Sequence, residues 1–92
     1  MTHYHTRSLG LASYLRHTLG ADAHLSTTKV DDGRNVSFIF HDPKDQCPRW
    51  AKAFFSPQGA PVTDARALLE ASRDIRLTMT AAIKTGIWQS EK

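Results

Sequence analysis

The sequence predicts an α+β fold: a single compact domain in which a small antiparallel sheet, in a β-α-β-β-α-α order, packs against helices. Three observations carry this. In "HLSTTKVDDGRNVSFIFH" apolar and polar residues alternate around Asp32-Gly33, as strands with one buried face require. In "RALLEASRDIRLTMTAAIK" apolar residues recur at helical spacing. The chain has 92 residues, which suits one hydrophobic core.

The elements follow in chain order. "THYHT" is a short β-prone piece, read as a strand at His3 to His5. Thr6 or Ser8 then caps a first helix over residues 7–19, because a side-chain oxygen there satisfies free backbone N–H groups. Leu11, Ala12, Leu15 and Leu19 share one face of it, and Gly20 stands where a left-handed cap is needed. Asp32-Gly33 suits a two-residue type I′ turn, since both positions need positive φ. That turn faces Asp31 with Arg34, and sets Leu25 opposite Phe40, Thr27 opposite Phe38 and Lys29 opposite Val36. Val36, Phe38 and Phe40 then share a face with Leu25 and Thr27, and His24 meets His41 across the hairpin.

After the hairpin, Asp42 can cap and Pro43 suits a first helical turn. Pro48 lacks an N–H and disfavours helical geometry at Cys47, so a loose turn is expected before a regular helix from Cys47 to Phe55. Cys47, Trp50, Ala51 and Phe54 form its apolar stripe, and Ser56-Pro57-Gln58-Gly59 ends it. The last helix starts near Thr63 or Asp64 and stops at Gly86. At 1.5 Å per residue it is about 33 Å long. Its expected inward stripe is Ala65, Leu68, Leu69, Ser72, Ile75, Met79, Ala82 and Ile83. Residues 87–92 are read as a frayed tail, unless Ile87 and Trp88 fold back.

A net charge of +3 and a pI near 9.4 favour acidic partners, nucleic acid among them. Cys47 is the single cysteine, so no intramolecular disulfide is possible, which suits a reducing cytosol. No apolar run reaches membrane-spanning length, and "MTHYHTRSLG" lacks the apolar stretch of a signal peptide. The expectation is a cytoplasmic protein with no membrane partner.

Catalytic chemistry has little support. Cys47 lies in an apolar stripe without a base beside it, and Asp31 and Asp32 next to Gly33 read as turn chemistry. The five histidines lack Cys-x-x-Cys or His-Glu-x-x-His spacing and are read as solvated or capping. No enzyme activity, metal, cofactor or small-molecule substrate is expected.

Binding has more. Arg66, Arg73 and Lys84 share the outer face of the last helix, with Arg76 at its edge and Leu77 projecting from the cationic row. Arg49 and Lys52, three apart on the preceding helix, form a second set. An apolar centre with a charged rim is how interfaces are often built. The plainer alternatives are surface pairs of Arg66 and Arg73 with Glu70, and Leu77 packed beneath Ile87 or Trp88.

The stretches "YHTRSLGLASYL", "NVSFIFHDP" and "FFSPQGAPVTDARALLEASRDIR" resemble a family of small domains of unknown function found in phages and other mobile elements. They stand for an aromatic strand entering a Leu/Ala-rich helix, a Phe-x-Phe strand before an acidic turn, and a final helix. Pro48 and the longer "TTKVDDGRN" hairpin depart from that pattern. The family brings no catalytic residues. In size and basic character the chain also resembles small phage anti-CRISPR proteins. That resemblance implies a stoichiometric inhibitor docking on a type I RNA-guided Cas surveillance complex, within reach of its guide RNA. The alternative is a stand-alone nucleic-acid-binding accessory protein.

Overall fold

The computed structural model describes residues 3–30, 35–60, 62 and 64–90. The elements run β1 (His3–Thr6), α1 (Leu9–Leu19), a single 3₁₀ turn (Ala21–Ala23), β2 (His24–Val30), β3 (Asn35–His41), α2 (Cys47–Phe54), α3 (Ala65–Thr85) and β4 (Ile87–Gln89). Among the described residues the strands form one four-stranded antiparallel sheet in the order β1-β3-β2-β4. β3 therefore lies between β1 and β2, which α1 connects, and β2 lies between β3 and β4. No helix among the described residues is long and apolar enough to cross a membrane.

Local chemistry sets the helix ends where the sequence puts them. The Ser8 hydroxyl accepts from the Leu11 N–H at 3.1 Å and starts α1. Gly20, at φ +95°, closes it. The Asp64 carboxylate accepts from the Ala67 N–H at 3.0 Å and starts α3, and Gly86 stops it at φ +95°. α2 is started from a distance. The Asp42 carboxylate accepts from the N–H groups of Gln46 (2.8 Å) and Cys47 (3.0 Å), so it joins the end of β3 to the helix across the Pro43 turn. Asp42 is 4% exposed, so its removal leaves buried donors unpaired. Asp42→Ala is expected to cost about 2 kcal/mol, read as a lower urea midpoint.

α1, α2 and α3 cover one face of the sheet. Leu11 and Leu15 of α1, Cys47 of α2 and Ile75 and Ala82 of α3 meet Val36, Phe38 and Phe40 of β3 in a single core. The register holds at Thr27 opposite Phe38 and Lys29 opposite Val36. It departs from expectation at Leu25, where a β-bulge intervenes and His24, not Leu25, stands opposite Phe40. The extra residue turns His24 inward, where it is fully buried and stacked between Phe40 and Trp88. His24 is thus neither solvated nor paired with His41, which stands opposite His3 instead. Residues 87–89 fold back as β4, with Trp88 opposite Thr27. The Asp32-Gly33 turn, its flanking Asp31 and Arg34, and Thr63 lie outside the described residues.

Burying His24 creates a polar chain with one direction. A guanidinium cannot accept, so Arg16 Nη1 donates to His24 Nδ1 at 3.2 Å. Nε2–H then donates to the Ser26 carbonyl (3.1 Å) and the Thr27 hydroxyl (2.9 Å). Thr27 donates to Thr78 (3.0 Å), and Thr78 to the Ile75 carbonyl (2.8 Å). Asp74 holds Arg16 from its far side at 3.6 Å. The chain ties α1, β2 and α3 together with each buried polar group satisfied.

Candidate docking face on the long helix

α3 packs its Ala71, Ile75, Thr78 and Ala82 edge onto α1 and the sheet. The opposite edge faces solvent. There, steps of three and four residues place Arg66, Leu69, Arg73, Leu77, Thr80 and Lys84 in one stripe along the helix, and all six are exposed. Arg76 and Ile83 flank it on one side and Glu70 on the other.

The structure leaves Leu77 uncovered at 63% exposure, so it does not pack beneath the chain's end. Trp88 is engaged instead by His24 at a ring separation of 4.8 Å. Three residues of the expected inward stripe belong outside. Leu69 is 70% exposed and Ile83 47%, and Ala65 is exposed as well. α1 and the sheet cover only part of the wide apolar arc that the sequence shows, and Leu69 lies on the side of the helix turned away from Ala71, Ile75, Thr78 and Ala82. The stripe therefore carries two leucines alternating with arginines, where sequence reasoning found one. The missed signal was spacing: Leu69 lies three residues from Arg66 and four from Arg73, which makes it their neighbour.

Electrostatically the face is cationic and uncompensated. Among the described residues, Arg66, Arg73, Arg76 and Lys84 have no ion-pair partner, although Glu70 lies one turn from both Arg66 and Arg73. Beside its C-terminal half, a recess of about 160 Å³ is lined by Leu9, Val36, Phe38, Met79 and Ile83 together with Arg7 and Asn35, so partly apolar surface continues past Ile83 toward the core. The second cationic set is separate. Arg49 and Lys52 are exposed on α2, which packs chiefly on α1, and the Arg49 guanidinium stands 5.3 Å from the Trp50 ring.

Cys47 offers no nucleophile. It is fully buried, and burial, reinforced by the Asp42 carboxylate, pushes its thiol up to about 12. A thiol that stays protonated at neutral pH neither attacks nor ligates. Elsewhere, on the sheet face away from the helices, His3, His5 and His41 are exposed, and among the described residues no three potential ligands stand in metal-holding position. What the α3 face can do is bind: it presents aliphatic contact area among unpaired cations. No family model, curated protein or solved structure matches the chain.

Proposed function

We propose that this is an interaction protein whose α3 outer face docks on an apolar, acid-rimmed surface of a larger assembly. The observation that carries the reading is the alternation of exposed Leu69 and Leu77 with unpaired Arg66, Arg73 and Lys84. Solvating such leucines gains nothing, whereas a partner that covers them removes apolar area worth about 25 cal/mol per Å². The sequence resemblances supply the specific form of the proposal. In that form the chain is a phage-encoded anti-CRISPR inhibitor that docks on the Cas proteins of an RNA-guided surveillance complex. It blocks pairing of target DNA by steric and electrostatic occlusion, with Arg49 and Lys52 as a second contact set near the guide RNA.

A stand-alone nucleic-acid binder would use the same cations. The leucines favour a protein surface, because a phosphate backbone offers aliphatic side chains nothing to bury against. The two readings separate in one experiment. A nucleic-acid binder takes up naked oligonucleotides with an affinity that falls steeply with salt. An inhibitor of the complex copurifies with the Cas assembly and binds naked RNA poorly. Reversing Arg66, Arg73 and Lys84 together to Glu is expected to weaken copurification at least tenfold with unchanged circular dichroism, since all three side chains are exposed. Unchanged binding would remove α3 from the interface.

A further inference from the structure

We propose that His3, His5 and His41 form a surface site for a divalent late transition metal, with Zn²⁺ as the representative ion. The site lies on the sheet face opposite the helices. In β1, Tyr4 turns toward the core, so His3 and His5, its neighbours on either side, share the outer face. In β3, Phe40 is buried and His41, next to it, is exposed. The register sets His41 directly opposite His3, and the two rings already meet edge to face at 6.4 Å. Three imidazoles from two adjacent strands thus stand on one face, in an arrangement neither the spacing of the histidines nor the hairpin alone reveals.

The donor set selects the ion. The outward residues beside the three, Ser37 and Ile39, carry no carboxylate. Although Asp22 and Asp42 share a recess with His41 and Lys44 at the end of the sheet, Asp42 is engaged by the N–H groups of Gln46 and Cys47, so the face itself offers imidazoles and not the all-oxygen set that calcium and magnesium need. Imidazoles suit zinc, copper and nickel. None of the three rings has a hydrogen-bond partner among the described residues, so binding displaces no existing bond.

Geometry permits convergence. Directly opposed Cβ atoms lie about 5 Å apart, same-face neighbours along a strand about 7 Å, and the diagonal about 7–8 Å. Three imidazoles rising from such a triangle can bring nitrogens within about 2.1 Å of one ion above its centre. The rings do not yet converge, as the described residues contain no three-ligand group in metal-holding position. The change required is rotation of exposed side chains, with the backbone unmoved. A three-histidine site leaves a fourth position for water or for a ligand from a partner. The ion would also clasp β1, an edge strand of four residues, to β3.

The test is a titration of untagged protein with Zn²⁺ alone, read by calorimetry, with melting temperature as a second signal. One equivalent is expected to bind with micromolar affinity and raise the melting temperature by several degrees at saturation. His5→Ala and His41→Ala, both at exposed positions, are each expected to weaken binding at least tenfold with the fold intact, while His17→Ala on α1 leaves it unchanged. Absence of stoichiometric binding to the unaltered protein, or affinity retained in either strand variant, would overturn the proposal.

Discussion

Lowering the pH from about 7.5 to about 4.5 is expected to cost the fold about 2 kcal/mol through His24 alone. The imidazole is fully buried between Phe40 and Trp88, and burial, followed by the Arg16 guanidinium beside it, lowers its pKa from 6.5 to about 4. The Ser26 carbonyl, which accepts from Nε2–H, opposes this and is outweighed. The unfolded chain takes up the proton near pH 6.5 and the folded chain does not until about pH 4. Between those values the unfolded state binds more protons, so stability is full above pH 6.5 and drains as pH falls toward 4. A protonated His24 would also face Arg16 with both groups cationic at 3.2 Å, within reach only of Asp74 on the far side of the guanidinium. Urea midpoints across this range are the measurement. His24→Leu does not titrate and should lose most of the slope, at the cost of lower stability at neutral pH, because Arg16 loses its acceptor and Thr27 its donor. An unchanged slope in that variant would show that other groups set the acid limit.

The second large effect falls on binding. Leu69→Asp combined with Leu77→Asp is expected to weaken docking about 100-fold or more. Each change places a carboxylate where the proposed partner is itself apolar or acidic, and central apolar contacts carry most of an interface's energy. The stability cost should stay within about 0.5 kcal/mol per substitution, since both side chains project into water. That contrast distinguishes a docking residue from a core residue: Phe38→Ala, at 0% exposure, would cost about 3–5 kcal/mol and reduce binding only by unfolding the chain. Equal affinity for the double Asp variant and the unaltered protein would reduce the leucines to ordinary exposed residues.

Where sequence and structure agree, short-range chemistry is responsible. Ser8, Asp64 and the glycines at 20 and 86 act on backbone within a few residues of themselves, so their roles follow from the local string. The alternation in β3 survives because that strand lies between two others and one of its faces meets the helices. Disagreement arises where a distant partner decides. Nothing local marks Leu25 as a bulge. It is favoured because turning His24 inward fits the ring between Phe40 and Trp88 and completes the chain to Thr78. β4 has three residues, too few for any period to show, and exists because β2 has a free edge and Trp88 a stacking partner. The exposed stripe of α3 was half visible for a similar reason. A helix with apolar residues around more than half its circumference does not declare which of them its neighbours will cover, so Leu77 could be placed outside and Leu69 could not. The histidine face was half visible too: His3 and His5, two apart on a strand, share a face by alternation, but His41 joins them only through the strand order.

The central claim, that the outer edge of α3 is a docking surface, is tested most directly by hydroxyl-radical footprinting of the protein alone and in complex with the RNA-guided assembly. Free, Leu69, Leu77 and Ile83 should all oxidise readily, in keeping with exposures of 70%, 63% and 47%. In the complex, oxidation at these three positions should fall several-fold, while Ile87 on β4, 44% exposed, keeps its rate. Protection at Ile87 with Leu69 and Leu77 still reacting as in the free protein would place the interface elsewhere and contradict the account.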